Sequence, residues 1–242
     1  MNYLRDIFSR DYLYHAGALT YNFLMVMSSL IFLLLTLASY LPFLDYERVQ
    51  TLILELSPKY ADRILKELSK IYKNRHYISI LSVIIAFYYS VGFSKSLYSA
   101  FCYIIGTDKK HKMWDFWIKT AVFIVLLSFF IFTAFSITHL IHHSEILPYL
   151  SLFMVYLLLY RIFFPNKPSY KNLAIVSLLL AGVSFLVNKL FSAFMVKLIK
   201  LNPLYGTFGS ALVFLVLVYY SFVLILFFGH VLYLLDQKEK ET

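Results

Sequence analysis

A charged side chain deep in an apolar run costs about 2.5–3.5 kcal/mol when it is placed at the centre of a bilayer, so such residues are where this sequence could do chemistry. Lys95 is the clearest case, eighteen residues into the run that begins at Tyr77, within Ser90-Val91-Gly92-Phe93-Ser94-Lys95-Ser96. The small residues around it leave room for a phosphate or carboxylate head group clamped by the ammonium, or for close helix packing. The competing reading is a lysine whose stem snorkels to the interface. Arg161 and Lys189 extend the clamp reading as further head-group contacts. Arg161 also suits an ordinary interfacial anchor, and Lys189 a water-filled space or the polar side of its helix. Asn22 reads as an interhelical hydrogen bond before it reads as a ligand. His230 could titrate near neutral pH, or serve only as a polar packing contact.

The missing groups are equally informative. Between Asp115 and Asp236 the only acid is Glu145, so this stretch offers no buried carboxylate to relay protons or hold sodium. That counts against a carboxylate-based pump and is compatible with an uncoupled carrier or a path for anionic species. There are no paired acids for two metals, no nucleophile beside a base, and no nucleotide-type phosphate loop. Enzymatic activity, a cofactor and nucleic-acid binding are therefore not expected. His139, His142 and His143 share a helical face with Glu145 nearby, but no Cys or Asp completes a metal set, and interfacial histidines are the preferred reading. Cys102 is the only cysteine, which excludes an intramolecular disulfide. Tyr205-Gly206-Thr207-Phe208-Gly209 exposes glycine backbone ahead of an apolar run. Tyr205, Gly206 and Gly209 are expected to form a tight turn that lets helices approach.

These groups are carried by elements that only a membrane could accommodate. Of the 242 residues, 61% are hydrophobic and 14% charged, and mean hydropathy is +0.73, whereas soluble domains have about 25% charged residues. The net charge of +9 falls mainly between apolar runs, where it signals topology and contact with anionic lipid rather than nucleic acid. We read a single all-α polytopic membrane domain over 1–242, with six transmembrane helices at about 18–41, 77–105, 114–140, 146–164, 173–199 and 210–235. An amphipathic helix is expected over 2–15, and a helical extracytoplasmic connection over 43–76. The run after Arg5 and Arg10 is too long for a signal-peptide core and is expected to stay as an anchor.

Six spans put both termini on one side. Arg5, Arg10, Lys109, Lys110, Lys112, Lys167, Lys171, Lys238 and Lys240 then share that side, while the 141–145 hairpin has no Lys or Arg, which favours cytoplasmic termini. Arg48, Lys59, Arg63, Lys66, Lys70, Lys73 and Arg75, in the 42–76 connection, argue the other way.

Three stretches carry a family resemblance: His15-Ala16-Gly17-Ala18-Leu19-Thr20-Tyr21; Tyr89-Ser90 to Tyr103; and Tyr160-Arg161 to Pro165, continued by Leu204-Tyr205-Gly206 and Leu226-Phe227-Phe228-Gly229-His230. In this order they resemble the YihY/BrkB family of bacterial inner-membrane proteins, once labelled ribonuclease BN-like. The chain departs from the family pattern at Ser29, usually proline; at Ser177, near a usual glycine; and at Gly229-His230-Val231, where relatives have Gly-Ala-Glu. The resemblance implies a six-helix inner-membrane fold without a settled activity. Roles in lipid or envelope-component transport, or in serum resistance, have been proposed for members. The resulting expectation is binding or transport of an amphiphilic anionic substrate, such as a lipid or envelope precursor, with membrane lipids as partners. The alternative is a non-transporting scaffold that binds an envelope partner through the 43–76 helices.

Overall fold

A computed structural model describes residues 12–38, 65–66, 69–70, 73–107, 114–123, 146–201 and 203–241. The expected amphipathic segment before Tyr12, most of the 43–76 connection, the third span beyond residue 123 and the His139/His142/His143 cluster lie outside the described residues. Six helices are described: α1 (Tyr12–Ala38), α2 (Arg75–Ile105), α3 (residues 114–123), α4 (Ile146–Phe163), α5 (Tyr170–Leu201) and α6 (Pro203–Glu241), with no strand among the described residues. Ile80–Ile105, Tyr170–Phe194 and Leu212–Lys240 are long and apolar enough to cross a membrane, and Tyr149–Phe163 is a shorter apolar helix. The described residues are thus all-helical, with three helices long and apolar enough to span, as befits a membrane protein.

The helices end where local chemistry ends them. Gly106 takes φ 72°, its N–H donates to the Tyr103 carbonyl at 3.1 Å, and the Thr107 N–H donates to the Cys102 carbonyl at 2.9 Å. This is a Schellman cap on α2, closed by the residue for which a left-handed backbone is least costly. The expected turn over Tyr205, Gly206 and Gly209 is corrected: α6 already begins at Pro203, so all three are helical backbone. Proline has no N–H to lose and its fixed φ suits the first helical position, which is why it starts this helix rather than delaying it. At the other end α6 continues to Glu241, beyond the last span expected to end at about 235.

Hydroxyls inside the apolar helices are satisfied locally, as lipid surroundings require. Thr20 bonds the Ala16 carbonyl at 2.7 Å, Ser90 the Ala86 carbonyl at 2.7 Å, Thr120 the Phe116 carbonyl at 2.6 Å and Ser221 the Leu217 carbonyl at 2.8 Å. Ser177 is the exception: it is fully buried, and its hydroxyl has no hydrogen-bond partner among the described residues. Ser177→Ala is therefore expected to stabilise the protein by about 1 kcal/mol, since it removes an unmet polar group at little cost in volume. A higher thermal unfolding midpoint for the purified variant checks this, and a lower one would mean the hydroxyl is bonded.

The described residues fall into two compact units, one up to Tyr21 together with Ser94 onward, the other Asn22–Phe93. In the second, Ser82, Ala86 and Ser90 lie on a buried side of α2 and Phe23 meets Phe93 at 6.1 Å. Its Ile80, Leu81, Ile84 and Tyr88 are exposed, as lipid-facing residues would be. The first unit is centred on Leu97, Phe101, Ile104, Tyr160, Phe163, Leu173, Val176, Leu180, Leu226 and Leu232, all buried. Aromatic rings join its helices: Tyr98 to Phe116 at 5.4 Å, Phe101 to Tyr160 at 5.7 Å and Phe123 to Phe163 at 5.2 Å.

Candidate functional site: cations and buried polar contacts

Lys95 is exposed on α2. The small residue before it does the packing: Ser94 is buried and its hydroxyl lies 2.7 Å from that of Thr120 on α3. The sequence thus divides the labour, with Ser94 holding the neighbouring helix and Lys95 presenting a charge. Lys95 has no ion pair or hydrogen bond among the described residues.

Arg161 sits in the last turn of α4. Its Nη2 donates to the Tyr170 hydroxyl at 2.6 Å, and its guanidinium carbon lies 4.4 Å from the centre of that ring. Lys189 is exposed on α5 and places its ammonium 4.7 Å from the Phe185 ring, one turn earlier on the same helix. Because Arg161 is anchored at the start of α5 and Lys189 stands nineteen residues further along it, about 28 Å of helix separates the two. They serve different depths and cannot hold one head group together.

His230 is buried, and its Nδ1 lies 2.6 Å from the hydroxyl of Tyr12, also buried, with the rings stacked at 6.4 Å. The last helix is thereby tied to the beginning of the first. Asn22 is half-buried in the other unit and has a partner of its own.

Several groups went unread in the sequence. Lys119, half-buried on α3, holds its ammonium 5.1 Å over the Tyr98 ring. Its closeness to Trp114 gives it the look of an ordinary boundary lysine, and only its apolar neighbours hint otherwise. Asp236 lies just past the last span expected at about 210–235, yet is buried. It accepts the Ser169 N–H at 2.9 Å and pairs with Lys240 at 3.0 Å, while the Asn172 amide donates to Glu239 at 2.7 Å. Ser169 is the N-cap of α5, since its carbonyl accepts the Leu173 N–H at 2.9 Å. The first turn of α5 contains no acid of its own; the carboxylates that suit a helix N-terminus arrive from α6. The spacing of Asp236, Glu239 and Lys240 shows one helical face, but not which helix end it meets.

No group of three or more His, Cys, Asp or Glu able to hold a metal occurs among the described residues. The arrangement is one of separated cations on apolar helices, with carboxylates gathered at one helix start. Compared with known proteins, the chain matches a family model described as virulence factor BrkB over residues 4–242. No curated protein and no solved structure matches it.

Proposed function

Because this chain belongs to the YihY/BrkB family, as its membrane-spanning helices accord with, we propose that it binds or transports an amphiphilic anionic substrate, a lipid or an envelope precursor. The reading places it in the bacterial inner membrane with six spans and cytoplasmic termini, on the Lys and Arg pattern of its short loops.

The observation that supports it is Lys95. Its α-carbon stands ten residues before the end of α2 at Ile105, about 15 Å along the axis. Side chains leave a helix tilted toward its N-terminus, so the stem sets out away from the nearer end, which handicaps snorkelling. An exposed ammonium on an apolar helix, without a carboxylate among the described residues, is best met by an anionic group from outside the protein. Phosphate and carboxylate head groups carry that charge.

Native mass spectrometry of the gently extracted protein tests this, wild type beside Lys95→Ala. We expect a particular anionic lipid to be retained by the wild type and lost from the variant. Equal, unselective lipid in both would reduce Lys95 to an anchor and favour a non-transporting scaffold.

A further inference from the structure

Arg161 differs from an ordinary interfacial arginine in being held. The Tyr170 hydroxyl takes one of its N–H groups at 2.6 Å and the ring lies under the guanidinium at 4.4 Å. A neutral partner fixes the plane without cancelling the charge. The nearby carboxylates are engaged elsewhere, Asp236 by the Ser169 N–H and Lys240, Glu239 by Asn172. The remaining donors of the guanidinium keep the rigid fork that suits two phosphate oxygens.

Lys171 adds a second oddity. It is exposed in the first turn of α5, the positive end of the helix dipole, where a cation is disfavoured. Helix stability does not account for it. A C-terminal cation or a topology anchor would explain a charge at Arg161, but neither requires the tyrosine clamp, nor a lysine at the residue after that tyrosine. Tyr170 is exposed at the start of a spanning helix, the position at which tyrosines meet lipid head groups.

We propose that Arg161, set on Tyr170, and Lys171 form an interfacial docking site that prefers a phosphomonoester head group to a phosphodiester. A phosphomonoester carries a charge of about −1.5 to −2 near pH 7 and three acceptor oxygens, which matches one oriented fork and one ammonium. A diester offers a single charge and two free oxygens. The inference rests on the lipid-binding reading for the source of the phosphate, yet places docking away from Lys95.

The test compares short-chain phosphatidate, phosphatidylglycerol and glycerol phosphate as probes of the detergent-purified protein, by native mass spectrometry with titration. The wild type is expected to hold phosphatidate about tenfold more tightly than phosphatidylglycerol, a ratio equivalent to a single strong polar contact. Arg161→Lys, which keeps charge but loses the fork, should abolish the preference, and Tyr170→Phe should weaken it. Lys171→Gln, at an exposed position where the helix dipole disfavours a cation, should lower it without lowering the unfolding midpoint. Lys95→Ala should leave the preference intact, so loss of the Lys95 clamp and loss of this site are read separately. No preference in the wild type, or full preference in Arg161→Lys, overturns the proposal. Glycerol phosphate binding as tightly as phosphatidate overturns the lipid source and leaves a site for soluble phosphate.

Discussion

Gly229→Val is expected to prevent recovery of a stably folded protein, and Gly229→Ala to lower its unfolding midpoint measurably. A Cβ at this position would lie 2.7 Å and 3.1 Å from two ring carbons of Phe101 and 3.5 Å from Tyr160. Phe101 cannot easily retreat, being fully buried with Tyr160 at 5.7 Å and Phe164 at 5.5 Å. Tyr160 is fixed in turn, because its hydroxyl donates to the Ile225 carbonyl at 2.6 Å, one turn before Gly229. Alanine would gain up to about 1 kcal/mol in helix propensity, but overpacking at such a site costs about 1–3 kcal/mol. The clash therefore wins, and the two further methyls of valine enlarge it. Combining Gly229→Ala with Phe101→Leu should return much of the loss, because the ring is what the new carbon meets. Thermal unfolding of the detergent-purified proteins checks both, and a Gly229→Val protein melting with the wild type would refute the close approach of α2, α4 and α6.

Asp236→Ala is expected to destabilise by about 2 kcal/mol. It removes the acceptor of the Ser169 N–H and the carboxylate facing the start of α5; a hydrogen bond to a charged group is worth about 1.5–3 kcal/mol and a carboxylate at a helix N-terminus about 0.3–1 kcal/mol. The Lys240 pair adds little, since Lys240 itself is largely exposed. Asp236→Asn should fall between, as the amide keeps an acceptor but not the charge. Amide hydrogen exchange offers a local reading: protection should drop first around residues 169–173. Unchanged exchange there would detach Asp236 from the α5 cap.

How much of this was legible follows from what kind of signal each feature leaves. Hydropathy is read residue by residue, so the stretch expected as the second span at 77–105 is a long apolar helix over Arg75–Ile105, while the stretch expected as the fourth at 146–164 is helical over Ile146–Phe163 with a shorter apolar part, Tyr149–Phe163. Helix ends are less legible, because Pro203 and the glycines at 206 and 209 favour a turn in isolation and a helix start only in context. The buried role of Asp236 left no trace, since its partners are 67 residues away or on the solvent side of its own helix. Lys95 was legible as an odd charge, and so was Arg161 as a boundary cation. Its tyrosine clamp was not, because a nine-residue separation across a loop has no periodic signature. Lys119 was masked by its position near the start of a run.

The contact between Tyr12 and His230 spans 218 positions of chain, and Tyr219 donates to the Leu13 carbonyl from nearly as far. During synthesis α1 emerges long before the ribosome has translated its partner. Tyr12, buried in the finished protein against His230, lacks that partner until α6 is delivered. Such late pairing of early and final segments makes assembly slow, and gives biogenesis a natural checkpoint: a chain truncated before residue 219 would lack both of these ties between its first and last helices.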